Sequence, residues 1–150
     1  FSLDKDCCYC AATNGRLDCL KYLHENGCPW DEWVCLCAAT NGRLDCLKYL
    51  HENGCPWSHD ILYYSCESTH LDCVKYLHEN GCSWNKWCCY NAVMCNSLDV
   101  FKYLCENGCP WDEDDCQYAA NHSLDDSVKY MMKKQRKESS SVIESQKDFH

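Results

Sequence analysis

Leu17-Asp18-Cys19-Leu20-Lys21-Tyr22-Leu23-His24-Glu25-Asn26-Gly27-Cys28-Pro29-Trp30 recurs without change from Leu44 to Trp57. It returns from Leu71 to Trp84 with Val74 and Ser83 substituted, and from Leu98 to Trp111 with Val100, Phe101 and Cys105 substituted. The copies are stepped by 27 residues, and a degenerate fifth copy begins near Leu124 and keeps Val128-Lys129-Tyr130. A fixed period of this length marks a repeat architecture, in which one unit cannot bury its apolar face alone and stacking supplies the core.

Each unit reads as two helices. Asp4, Asp31, Ser58, Asn85 and Asp112 share one repeat position, and each side chain can accept an orphan N–H at a helix start. The segment that follows places Val34, Cys35, Ala38 and Ala39, or Cys7, Cys8, Ala11 and Ala12, on one helical face, with side chains small enough for close helix approach. The second helix runs from about Arg16 to Asn26, with Leu17, Leu20 and Leu23 inward and Asp18, Lys21 and Glu25 outward. Gly27 and its copies supply a left-handed C′ residue, and Pro29, Pro56 and Pro110 forbid continuation. These signals predict an all-α solenoid of about five stacked helix-turn-helix units, at about 4–30, 31–57, 58–84, 85–111 and 112–132. Residues 133–150 are expected to be a basic, Ser-rich tail, either a cap or disordered.

The stretch Ala38-Ala39-Thr40-Asn41-Gly42-Arg43-Leu44-Asp45-Cys46-Leu47-Lys48-Tyr49-Leu50 resembles the ankyrin repeat core, and the likeness extends over about residues 4–131. The step is shorter than the usual ~33 residues, and the Thr-Pro-Leu-His opening is missing. The shortened segment, Gly27-Cys28-Pro29-Trp30-Asp31, has room for a tight turn but not for a projecting β-hairpin finger. Short arrays punctuated by Cys-Pro-Trp look like those of giant DNA viruses and protists. The resemblance implies binding to another protein, with a host protein as one candidate partner, and implies no catalytic residue and no cofactor.

Repeats can be compared with one another. The second helix is nearly constant, whereas the first varies at its outward positions. Those positions give a candidate partner-binding set: Asp6, Tyr9, Trp33, Leu36, His59, Asp60, Tyr63, Tyr64, Trp87, Tyr90, Asp114 and Tyr118. Aromatic residues interleaved with acids suit a protein offering apolar anchors and basic groups. The alternative for Trp33 and Trp87 is half-burial as caps on the helix stack. Trp30, Trp57, Trp84 and Trp111 stand at every turn and read as structural wedges.

The chain has 150 residues, 46% hydrophobic, with a net charge of −9. That charge argues against general nucleic-acid binding, which needs a basic surface, and no apolar run suffices to span a membrane. The basic cluster Lys133, Lys134, Arg136 and Lys137 reads first as cations at the end of a last helix, and second as an anionic-lipid or nuclear-localisation signal. Eighteen cysteines exceed ordinary usage. Equivalent cysteines of successive helices, ~8–10 Å apart, are too distant to bridge. The leading expectation is therefore free thiols packed as small hydrophobes in a reducing, intracellular compartment, with a metal site or non-equivalent disulfides as alternatives. His24, His51 and His78 form a ladder, expected to cover the groove between repeats with a ring nitrogen bonded to backbone. If buried neutral, they would weaken the fold below about pH 6.5. The sequence opens at Phe1 rather than Met, so a fragment or processed product is expected. The uncapped first repeat suggests further repeats upstream or self-association through the solenoid ends. No nucleophile with base and orienter and no phosphate loop appears.

Overall fold

The computed structural model describes residues 3–122 and 126–147. Among the described residues there are ten helices and no strand, and the chain is an all-α repeat solenoid. It divides into two compact units, Phe1–Trp84 and Asn85–His150.

The first unit holds three hairpins: α1 (Lys5–Thr13) with α2 (Leu17–Glu25), α3 (Glu32–Thr40) with α4 (Leu44–Glu52), and α5 (Ile61–Ser65) with α6 (Leu71–Glu79). Each first helix packs on its own second helix, and α3 packs on both α1 and α5. Val34, Cys35, Ala38 and Ala39 are all fully buried between neighbours, as their spacing predicts. Leu20, Leu47 and Val74 form the matching inward row of the second helices.

The helix starts follow from their caps. The Asp31 carboxylate accepts from the Trp33 N–H at 3.0 Å, and Asp4 accepts from Asp6 at 3.1 Å. Neither group would find a partner inside its helix. The helix ends follow from glycine. At the close of α2 the Gly27 N–H reaches the His24 carbonyl at 3.0 Å and the Cys28 N–H reaches Leu23 at 2.9 Å. This paired closure needs a left-handed residue, and Gly27 has φ +79°. The same closure ends α4 and α6.

Repeat three departs from expectation at its first helix. Ser58 makes the expected cap bond, its hydroxyl accepting from the Asp60 N–H at 3.3 Å, but regular helix begins only at Ile61 and α5 is short. Its other end is also early. Where repeats one and two carry Gly15 and Gly42, repeat three carries Thr69. A β-branched residue resists the left-handed conformation, so the chain leaves the helix at Ser65 through tighter turns. There Glu67 N–H meets the Tyr64 carbonyl at 3.2 Å, and the Ser68 hydroxyl donates to the Ser65 carbonyl at 2.7 Å.

The second unit contains α7 (Lys86–Met94), α8 (Leu98–Glu106), α9 (Glu113–Asn121) and α10 (Asp126–Lys147). Here the position of Gly42 is held by Asn96, which adopts φ +56°. Asparagine tolerates that region better than most residues, so α7 keeps its full length. Phe101 lies fully buried on α8 with its ring edge-on to Trp111, centroids 6.1 Å apart.

The last helix runs through the segment expected as a tail. No Gly-Cys-Pro-Trp stop follows it, and Met131 to Lys137 are good helix formers. Met132 and Gln135 are buried, and α10 packs on α8 and α9. The basic cluster consequently lies in mid-helix rather than at a helix end, so the macrodipole, which acts within the last turn, does not account for it. Arg136 instead pairs with Glu113 of α9. The fifth-copy residues Leu124 and Asp125 lie outside the described residues.

Candidate interaction surface

The outward positions of the first helices differ sharply in exposure. In the first unit Trp33 is 55% exposed and Tyr64 41%. Asp6, His59 and Asp60 are exposed beside them in register, and His59 meets Asp60 at 3.3 Å. Leu36 and Tyr63 are half-buried, and the Tyr63 and Tyr64 rings meet edge-on at 5.1 Å. Tyr9 is also half-buried. Its hydroxyl donates to the Asp31 carboxylate at 2.6 Å, and that bond pushes the phenol up to about 12. Lys5 stands 3.6 Å from the same carboxylate. Asp31 thus caps its own helix and ties it to the preceding one.

In the second unit Trp87 is 44% exposed and packs edge-on against half-buried Tyr90 at 5.6 Å. The Lys86 ammonium sits 4.8 Å from the Trp87 ring centre and 2.8 Å from the Asp115 carboxylate. The hydrogen bond to Asp115 raises the Lys86 pKa. Tyr118 is 58% exposed and stacks obliquely on His122 at 4.3 Å, with Asp114 exposed on the same helix.

The opposite side of the hairpins carries a regular aromatic ladder whose rungs differ from expectation. His24 lies flat on Trp30, centroids 3.8 Å apart and planes 7° from parallel; His51 and Trp57 repeat the stack at 3.9 Å and 1°. His24 and His51 are half-buried, each lying flat against an indole. Each stack meets the tyrosine of the next second helix edge-on: Trp30 with Tyr49, and Trp57 with Tyr76, both at 6.4 Å. Lys21 and Lys48 lie 5.8 Å from those same tyrosine rings. Trp30 and Trp57 therefore wedge one repeat against the next.

Sequence reasoning missed Tyr22, which is 62% exposed on α2. Its copies Tyr49 and Tyr76 are half-buried under their stacks. Cys19 is exposed on the same helix, whereas Cys46 and Cys73 are buried. The common repeat register could have flagged both, because each copy is covered by the hairpin before it.

Most cysteines pack as small hydrophobes. Cys28, Cys55 and Cys109 point back to the carbonyl of their own repeat's cap residue: Cys28 to Asp4 at 3.0 Å, Cys55 to Asp31 and Cys109 to Asn85 at 3.5 Å. Cys10, Cys19 and Cys95 are the exposed exceptions. Among the described residues no group of three or more His, Cys, Asp or Glu is placed to hold a metal ion. Among them too, no helix is long and apolar enough to cross a membrane.

A family model described as ankyrin repeats (three copies) matches residues 8–87 and 35–115. The chain belongs to the ankyrin-repeat family. Ankyrin repeats generally mediate protein–protein interaction. No curated protein matched the chain.

Proposed function

We propose that this chain is a non-catalytic interaction scaffold whose first helices engage a partner protein. The observation that supports it is the exposure of large aromatic side chains, Trp33 and Tyr64 in one unit and Trp87 and Tyr118 in the other, on helices whose outward residues vary while the second helices stay constant. Tryptophan and tyrosine supply large anchors at small entropic cost, and neighbouring Asp6, Asp60 and Asp114 favour a partner with basic groups. The buried thiols suit a reducing, intracellular setting. Replacing both Trp33 and Trp87 by Ala should lower partner capture by tenfold or more, roughly the loss of one hot-spot residue, with helicity by circular dichroism unchanged. Undiminished capture by the folded double variant would refute the assignment of this face.

A second reading is self-association through the surface of α2 on which Tyr22 is exposed. That ring stands exposed, whereas its copies Tyr49 and Tyr76 each receive a His–Trp stack. Light scattering over a dilution series should then show a concentration-dependent mass that Tyr22→Lys abolishes. A constant monomer mass would leave the scaffold reading alone.

A further inference from the structure

The turn cysteine of a repeat does not face its equivalents in other repeats; it faces a cysteine twenty residues earlier in its own. The Cys8 and Cys28 sulfurs lie 3.4 Å apart, with Cys8 fully buried and Cys28 5% exposed. In repeat two, Cys35 and Cys55 occupy the same two positions, and the Cys35 thiol points at the Cys55 carbonyl at 4.0 Å. Both thiols of this second pair are buried, Cys35 completely. Hydrogen bonding to Cys55 and burial both push the Cys35 thiol up, and burial together with Cys28 does the same to Cys8. Repeat three breaks the pattern. Leu62 stands opposite Cys82, so the same fold there has one thiol and no mate. In repeat four the equivalent Cys89 faces both Cys105 and Cys109, which leaves more than one pairing open.

We propose that Cys8–Cys28 and Cys35–Cys55 are intrarepeat sites of reversible disulfide formation, each fastening a first helix to the turn that closes its own repeat. The S···S separation of 3.4 Å is near contact, and a bond of about 2.05 Å needs a shift of only about 1.4 Å. The partner reagent is a small disulfide of the glutathione type. The turn thiol, deprotonated during a local opening, attacks one sulfur of that reagent; a mixed disulfide forms and one glutathione thiolate leaves. The helix thiolate then attacks the protein-side sulfur, closing the bridge and expelling the second glutathione thiolate. The two protons lost by the cysteines end on the two glutathione thiols. Two protein thiols are oxidised and one disulfide is reduced. Burial of all four thiols, with the Cys8 and Cys35 thiols also pushed up, makes the native pairs slow, so the reaction is gated by opening of the repeat.

The fully reduced chain should be held in excess oxidised glutathione a few degrees below its melting temperature until its mass stops changing. Remaining thiols are then alkylated in denaturant, and the bridges are mapped on unreduced peptides cut at Lys/Arg and before Asp. Cys28 is expected bound to Cys8 and Cys55 to Cys35, with Cys82 in no bridge within its repeat. The oxidised chain should melt at a higher temperature than the reduced one. Leu62→Cys should add one further bridge, to Cys82. Recovery of Cys28 and Cys55 as free thiols, as glutathione adducts, or bound mainly to Cys7, Cys10 or Cys37 would overturn the proposal. So would a folded Leu62→Cys chain in which Cys82 stays unbridged.

Discussion

Phe101→Ala will lower stability by about 3–5 kcal/mol, the usual cost of emptying an aromatic site in a packed core. Phe101 is fully buried on α8 and braces Trp111, the turn tryptophan of its repeat, edge-on at 6.1 Å. Leu20, Leu47 and Val74 hold the same position in the other copies, so the fold itself offers the milder replacement. Phe101→Leu should cost about 1–2 kcal/mol, because most of the volume stays filled. Urea unfolding followed by circular dichroism separates the two. Equal, small losses for both variants would mean that the second unit collapses onto the vacated space.

Alkali will unfold this protein well before it would unfold an ordinary helical domain. Burial pushes the thiols of Cys73 and Cys116 up to about 12 and that of Cys82 to about 11, and Cys8 reaches about 12. In the unfolded chain the same thiols ionise near 8.5–9. Between those values the unfolded state sheds protons that the folded core retains, so their contribution is complete below about pH 8.5 and is lost as pH climbs through 9 towards 12. Each such thiol removes about 1.4 kcal/mol per pH unit across that window. Four of them amount to an order of 4–6 kcal/mol by pH 10, comparable with the whole stability of a small domain. The Tyr9 phenol, held up by Asp31, acts in the same direction only above pH 10. Urea midpoints at pH 7.5, 9 and 10 under a reductant measure the slope, and Cys73→Ala should flatten it by one thiol's share. A midpoint unchanged to pH 10 would show that the thiols ionise freely in the folded chain.

The repeat, both helices of most hairpins and their caps were legible because each rests on a local rule: Asp31 accepting from Trp33, Gly27 closing on His24 and Leu23. Where the rule was only partly met, the reading failed in a traceable way. Ser58 has a capping hydroxyl, yet Thr69 supplies no left-handed residue at the other end, and α5 shrinks from both sides. The histidine stacks were not legible, because the six-residue spacing from His24 to Trp30 spans a turn whose geometry places the rings face to face. Exposure of Trp33 and burial of Tyr9 also resist sequence reading. Both are outward positions, and only the neighbouring Asp31 carboxylate decides that the phenol folds in.

The closing turns also determine how this protein ages. All six glycines follow an asparagine: Asn14, Asn26, Asn41, Asn53, Asn80 and Asn107. Asn-Gly is the dipeptide most prone to deamidation, because an unhindered glycine nitrogen attacks the side-chain amide to form a cyclic imide. In the folded chain that attack is tied off at both ends. The Gly27 N–H is engaged with His24, and the Asn26 amide donates to the Tyr22 carbonyl at 2.8 Å; Asn53 and Asn80 repeat the clasp on Tyr49 and Tyr76. Every unfolding event releases these clasps together. An isoaspartyl link, one backbone carbon longer, could not re-form the turn. The closures that make the hairpins possible are thus also a chemical clock, stopped while the chain is folded and running whenever it is not.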